Sequence, residues 1–301
     1  MPQWESQERR YTLTDSTFIK SELPEDALPI AQATSETVYP RWSRERLANE
    51  AATLKFIASR TTIPVPKFLD LYEENGLLHL MTERAQGISP ADMAFDTPTK
   101  YGAATTHVTT WLESFVLPQL RNLRHHTIGS VDTTLPVIPP SRITYRDKRP
   151  NWLRKTSRDA DFVFCHNDLG QHNILVDPDT FQITAIVDWE YAGYYPPESE
   201  YPLWLKHYRE QGNDHLKTEH LVELLDNASK RPKAADTLIL ITRRFDGSCQ
   251  EPIRRKLCLS KYYRNGPLQL YHHGPVSSFA IRSASPSAYA RPCRSAGAPV
   301  S

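Results

Sequence analysis

The chain has 301 residues, 39% of them hydrophobic and 24% charged, with a formal net charge of +1. That composition describes a globular protein with ample material for one large or two smaller cores. It excludes a strongly basic nucleic-acid binder as a whole-chain property, and no apolar run approaches the ~20 residues of a membrane-spanning helix.

The opening, Met1 to Arg10, is polar and lacks the apolar segment of a signal peptide, so a cytoplasmic location is the expectation. The cysteines, Cys165, Cys249, Cys258 and Cys293, form no C-x-x-C pair, which argues against a zinc knuckle or a thioredoxin-type site. Cys165 closes an apolar run and reads as a small buried hydrophobe.

Thr17-Phe18-Ile19-Lys20 is a short β-prone run ending in a lysine. Ser43 to Arg60 reads as a helix, with Ser43 as its cap and Leu47, Ala51, Leu54 and Ala58 on one face. Ile63-Pro64-Val65-Pro66 forces an extended connector. The runs Phe68–Tyr72 and Leu77–Met81 flank Asn75-Gly76, which predicts a hairpin. Tyr101 to Leu117 predicts a helix that Pro118 ends or kinks. Residues 133–160 are rich in proline and charge and read as a loop or insertion. Asp161–Cys165 predicts a strand. Ile174–Val176 and Thr184–Val187 predict two more around the turn Asp177–Thr180. Leu203 to Leu225 predicts a helix. From 230 to 301 there are 13 Lys and Arg against 3 Asp and Glu, so this tail carries +10 and the remainder −9. The tail reads as largely disordered or atypical. A basic tail offers a nucleic-acid contact in principle, but an uncommitted extension is the plainer reading, so nucleic acid is not the expected partner.

The strand ending at Cys165 leads into His166-Asn167-Asp168-Leu169-Gly170-Gln171-His172-Asn173, which has the spacing H-x-D-L-x-x-x-N. Asp188-Trp189-Glu190 follows after two strands. Phosphoryl transfer needs one carboxylate to accept the proton of an attacking hydroxyl and separate oxygen ligands for Mg2+. Asp168 suits the first task, Asn173 and Asp188 the second. His166 reads as a structural brace for the loop. A zinc pair with His172 fits no common helix-based spacing. Lys20 ends an early strand and Glu50 lies mid-helix downstream, so an ion pair between them would set the lysine on nucleotide phosphates. The backbone from Glu83 to Ala85 is placed to pair with an adenine edge. The first glycine in the chain is Gly76, so no glycine-rich phosphate loop precedes Lys20. Thr12, Thr14, Ser16 and Thr17 offer hydroxyls and amides there, but no glycine loop.

Phe164–Leu169, His172–Asp177 and Ile186–Gly193 together resemble the aminoglycoside phosphotransferase and choline kinase-like superfamily, and Asn49-Glu50-Ala51 before Ile63–Pro66 resembles its fungal members. The likeness covers roughly residues 17 to 225. It implies an α+β, bilobal protein-kinase-like fold: a small mixed N-lobe over 1–87, a mainly helical C-lobe over 88–229, then the tail 230–301. It implies ATP- and Mg2+-dependent phosphorylation of a small-molecule hydroxyl. Asp168 would be the base, Asn173 and Asp188 the metal ligands, and Lys20 and Glu50 the phosphate-contacting pair. The other reading kept open is a catalytically silent kinase-like binding protein.

Overall fold

The computed structural model describes residues 2–144, 147–207, 209 and 215–228. The basic tail from 230 to 301 lies outside the described residues. Among the described residues no helix is long and apolar enough to cross a membrane.

The N-terminal part is a five-stranded antiparallel sheet built from β1 (Gln3–Glu5), β2 (Arg9–Leu13), β3 (Thr17–Glu22), β4 (Phe68–Glu74) and β5 (Leu77–Glu83), in the spatial order β1-β2-β3-β5-β4. The hairpin β4–β5 turns on Asn75 and Gly76, both at positive φ (52° and 78°). That is the backbone a two-residue turn needs to match strand twist. The strands β1 and β2 were not foreseen. Their run of Arg9, Arg10 and Thr12 masks the aromatic face made by Trp4 and Tyr11.

Helix α1 (Ser43–Arg60) packs across the sheet and faces two cores. Leu47 and Ala51 bury against Leu80, whereas Leu54 and Ile57 join the main core of the second lobe. Ala58, expected on the buried face, is exposed, and Ile57 takes its place. Ser43 does not cap the helix. Trp42 precedes it in a left-handed conformation (φ 49°), and Ser43 is the first helical residue. Its hydroxyl and carbonyl both accept from the Arg9 guanidinium, so the side chain ties the helix to β2.

The second lobe is mainly helical: α2 (Pro90–Asp96), α3 (Pro98–Trp111), α4 (Leu117–Asn122), α5 (Ser141–Thr144) and α6 (His215–Asp226). Between α3 and α4 the chain widens into one π-turn, Leu112–Val116. Pro118 explains it: an ordinary α-turn would drive its ring into the carbonyl of Ser114, and Pro118 has no N–H to give. The expected single helix from Leu203 is instead a 3-10 turn, Leu203–Leu205, followed by extended Lys206, with α6 starting at His215. Residues 133–160 are more than a surface insertion, since Val137, Ile138, Ile143 and Trp152 are buried.

Two small sheets complete this lobe. In the first, β7 (Phe162–Cys165) lies between β6 (Arg124–His125) and β10 (Gly193–Tyr195). In the second, β8 (Ile174–Val176) pairs with β9 (Ile183–Ile186). All four residues of β7 are buried, which is why the sequence shows an unbroken apolar run. Cys165 is buried and free.

Gly87 lies between β5 and α2. It has φ +125°, and a Cβ there would stand 2.7 Å from the Val176 carbonyl oxygen. The next residue, Ile88, exchanges two backbone hydrogen bonds with Val176 at 2.9 and 3.0 Å. At Gly76 a Cβ would meet nothing within 4 Å, so only the φ opposes substitution. Gly76→Ala is expected to cost about 1 kcal/mol through backbone strain alone. Gly87→Ala is expected to cost clearly more, seen as a lower urea midpoint. Equal midpoints would refute the close approach at Gly87.

Candidate active site

Strand β7 delivers His166 into a loop, and this loop and the corner after β9 each hold one residue at positive φ. Asn167 has φ 69° and Asp188 φ 64°, conformations that Asn and Asp tolerate better than most residues. His166 Nδ1 accepts from the Asp168 amide (3.2 Å), so its Nε2–H donates to the Val187 carbonyl (3.0 Å). The ring also lies against Trp189, centroids 4.4 Å apart. With both nitrogens committed, His166 is a brace between the two motif segments and not half of a zinc pair. Burial holds it below the usual histidine range.

The hairpin β8–β9 brings the two segments together. Ile174 pairs with Ile186, and one step further the Val187 amide donates to the Asn173 carbonyl at 2.9 Å. Asn173 and Asp188 therefore flank one end of the same ladder. The Asn173 amide nitrogen donates to the Asp168 carbonyl (2.8 Å) and carboxylate (3.1 Å). That use of nitrogen turns the amide oxygen to other work. So the structure brings Asp168, Asn173 and Asp188 to one hairpin end.

Lys20 reaches the same place from the other lobe. Its ammonium donates to both Glu50 oxygens, at 2.9 and 2.7 Å, and to Asp188 at 2.7 Å. The lysine is 8% exposed, so it is a buried cation between two carboxylates. Burial works against its charge, but Asp188 and Glu50 outweigh it and hold the pKa above the usual lysine range. Burial likewise works against charge on Asp188, and Lys20 reverses it, keeping that carboxyl below its ordinary range. Glu50 is pushed up by burial, with Lys20 pulling the other way.

A second set of contacts, which sequence reasoning missed, docks α1 on the segment after Asp188. The Arg46 guanidinium donates to Glu190 (3.0 Å), the Tyr191 hydroxyl (2.7 Å) and Glu8 (2.5 Å). Asn49 donates to the carbonyls of Glu190 and Ala192, both at 2.9 Å. Arg46, Asn49 and Glu50 stand at i, i+3 and i+4, one face of the helix. That spacing is the signal that could have found them. Glu50, Asp188 and Glu190 form an acidic cluster whose ligand atoms lie within 4.8 Å of one another. It differs from the expected pair Asn173 and Asp188. Glu50 is taken by Lys20, and Glu190 by Arg46 and, at 3.7 Å, Arg9. The cluster is therefore largely neutralised by cations.

Glu200 and Arg142 brace the loop from below. Glu200 accepts from the amides of His166 (2.5 Å) and Asn167 (3.3 Å). Arg142 donates to the carbonyls of Asn167 and Ser199. The strained Asn167 is thus held by its N–H, its carbonyl and its side chain, whose nitrogen donates to the Tyr191 carbonyl at 2.9 Å. Nothing in the sequence marks Arg142, because its partners are backbone carbonyls.

The model of the phosphotransferase enzyme family matches residues 8–227. The chain belongs to that family. Among curated relatives it is 35% identical over 71 residues to "Probable choline kinase 3" of Arabidopsis thaliana, covering 23% of this chain and 19% of that protein. It is 34% identical over 85 residues to "Probable choline kinase 2" of the same plant, covering 27% and 23%. The matches thus span about a fifth of each curated relative. A GDP complex of an aminoglycoside 2'-phosphotransferase of type IIIa is 14% identical, covering 80% of this chain and 89% of that one, with a TM-score of 0.43. An aminoglycoside-3'-phosphotransferase of type VIII is 17% identical, covering 81% of each, with a TM-score of 0.40.

In this member of the phosphotransferase family Glu83 is the last residue of β5 and Ala85 follows two residues on. The Glu83 amide donates to the Lys67 carbonyl (2.9 Å) and that of Arg84 to Ser16 (2.8 Å). An adenine edge would therefore have to use the Glu83 carbonyl and the Ala85 amide. His172, which the sequence sets beside the loop, lies 3.8 Å from the Asp168 carboxylate. Burial lowers its pKa, but Asp168 outweighs this and raises it overall.

Two outcomes follow from these braces. Breaking a buried ion pair leaves one charge unpaired, at a cost of roughly 3–5 kcal/mol. Arg46→Met is expected to lose stability on that scale in urea unfolding, and adding Glu190→Leu is expected to recover part of it. Strict additivity of the two changes would show that the pair does not dock α1. Burial raises the Glu200 carboxyl from 4.5 to about 7. A raised folded pKa means that the native state binds the extra proton between those values, so stability falls as pH rises through that window. Wild type is expected to lose stability against Glu200→Gln across that range. A pH-independent difference would refute the shift.

Proposed function

We propose that this chain transfers the γ-phosphoryl group of ATP to a hydroxyl of a small molecule, with Mg2+. The observation that carries this reading is the junction of Lys20, Glu50 and Asp188 beside the hydrogen-bonded Asp168 and Asn173. Asp168 takes the role of base. Its carboxylate orients the acceptor hydroxyl and takes its proton as the new O–P bond forms. The bond from γ-phosphorus to the bridging oxygen breaks, and ADP leaves with that electron pair.

The donor set fits magnesium. Asp188 supplies a carboxylate and Asn173 an amide oxygen, both hard ligands, and Asp188 stays ionised because Lys20 holds it so. Bound there, the ion would screen the charge of the phosphates. With nucleotide bound, Lys20 would keep Glu50 and turn from Asp188 to a phosphate oxygen, leaving the metal as the cation beside Asp188. The Glu83 carbonyl and Ala85 amide pair with the adenine edge. An N-lobe over 1–87 and a C-lobe over 88–229 make the two sides of the cleft. ATP and Mg2+ are abundant in the cytoplasm, and we place the protein there.

The relatives named above as choline kinases and aminoglycoside phosphotransferases point to cationic alcohols and amino sugars as acceptor candidates. The −9 charge outside the basic tail supports a cationic acceptor.

A screen of ATP consumption over hydroxylated small molecules, cationic ones first, tests the activity. Asp168→Ala is expected to lower kcat by ~10²–10⁴, the usual reach of acid–base groups. Asp188→Ala is expected to abolish the rise in Tm that MgATP gives wild type. An equal rise in both proteins would remove Asp188 from the metal site.

A further inference from the structure

Lys20 is not the only buried cation at this place. Glu50, Asp188 and Glu190 have carboxylate oxygens within 4.8 Å of one another. Lys20 is paired with Glu50 and Asp188, and Arg46 with Glu190 at 3.0 Å. Arg46 precedes Glu50 by four residues on α1, so the guanidinium and the ammonium are anchored about one helical turn apart. A triphosphate chain can bridge such a span.

The two terminal nitrogens of Arg46 have different partners. Nη1 donates to Glu190 and to the Tyr191 hydroxyl, both in the segment after Asp188. Among the described residues Nη2 donates to Glu8 alone, through one carboxylate oxygen at 2.5 Å. Nε lies on the same edge of the guanidinium as Nη2, is buried and has no hydrogen-bond partner among the described residues. That edge offers two parallel N–H groups, which match two oxygens of one anion. Glu8 satisfies only one of them. Arg46 is 3% exposed, and an unpaired N–H in such a place is destabilising.

Glu8 is the partner that can leave. Its side chain is 49% exposed, against 4% for Arg46. It belongs to the β1–β2 turn, whose own hydrogen bonds do not use the carboxylate. The amides of Glu8 (3.1 Å) and Arg9 (2.9 Å) donate to the Ser6 hydroxyl, and the Ser6 amide donates to the Arg9 carbonyl at 2.8 Å. The carboxylate can therefore swing into water while the turn stays closed. With Glu8 in place four carboxylates face three cations, counting Arg9, which reaches Glu190 at 3.7 Å. Phosphates arriving beside this set add negative charge, which favours expelling Glu8.

We infer that Arg46 is a second phosphate-binding cation of the nucleotide site, and that Glu8 holds its place until a nucleotide phosphate displaces it. The phosphate takes Nη2 and Nε together. Nη1 keeps Glu190 and Tyr191, so α1 remains tied to the segment after Asp188. The β1–β2 turn thus carries a built-in competitor for the phosphates. The inference rests on the phosphotransferase reading above.

Calorimetric titration of the full chain with MgATP and, separately, with adenosine tests it in wild type, Glu8→Ala, Arg46→Lys and the double variant. Glu8→Ala removes the competitor and leaves the hydrogen bonds of the turn. Parting a half-exposed ion pair corresponds to about threefold to tenfold in affinity. The expected result is a gain of that size for MgATP in Glu8→Ala, with adenosine affinity unchanged. An unchanged or weaker MgATP affinity would overturn the inference. So would an equal gain for adenosine, because the turn would then only obstruct the site. Lysine keeps a charge for Glu190 but lacks the edge with two N–H groups, so Glu8→Ala is expected to bring little gain on the Arg46→Lys background. A full gain there would show that Glu8 acts through its charge alone and would remove Arg46 from the phosphates. Glu8→Ala changes a half-exposed side chain and decides the matter even if Arg46→Lys does not fold. Binding of MgATP by neither wild type nor Glu8→Ala would overturn the phosphotransferase reading itself, whereas wild-type binding that ignores Glu8→Ala would overturn this inference alone.

Discussion

A buried ammonium is the constraint on which this molecule depends. Taking a lysine out of water costs several kcal/mol, and only close carboxylates offset it. Lys20 has two, one from α1 and one from the corner after β9. Glu50 comes from α1 and Asp188 from the corner after β9, so the lysine ties these two segments to β3. The position of α1 and the turn at Asp188 are thus linked through one charge.

The remaining contacts around the cleft follow the same logic. Arg46 and Asn49 stand on the helical face that carries Glu50, and they bind the stretch just beyond Asp188. Movement of α1 would therefore strain four hydrogen bonds at once. Beneath, Glu200 and Arg142 grip the backbone of Asn167 from opposite sides. A left-handed backbone is unfavourable for a non-glycine residue and persists where its surroundings over-determine it. In this loop the N–H, the carbonyl and the side chain of Asn167 are all committed, which leaves Asp168 next to it with one orientation.

What was legible in the sequence were local patterns with their own physical cause. The Asn75-Gly76 hairpin needs positive φ at two residues. The buried strand β7 must be apolar throughout. The octet from His166 to Asn173 has a spacing that few loops would carry by chance. Less legible were elements whose justification lies far along the chain. Strand β2 carries two arginines, and Arg9 makes sense only once Ser43 and Glu190 are seen to receive it. Arg142 sits in a stretch of prolines and charges and binds carbonyls, which leave no side-chain pattern to read. Ser43 has the chemistry of a helix cap, but a long-range arginine claims its oxygen. In each case a tertiary contact overrode a local preference.

The missing glycine loop belongs to the same pattern. Glycine is needed where backbone must approach a ligand closely. Here the β1–β2 turn is closed by Ser6 and pinned through Glu8 to Arg46, so its backbone is committed to the helix that holds Glu50. The turn thus serves the placement of α1, and with it the lysine pair.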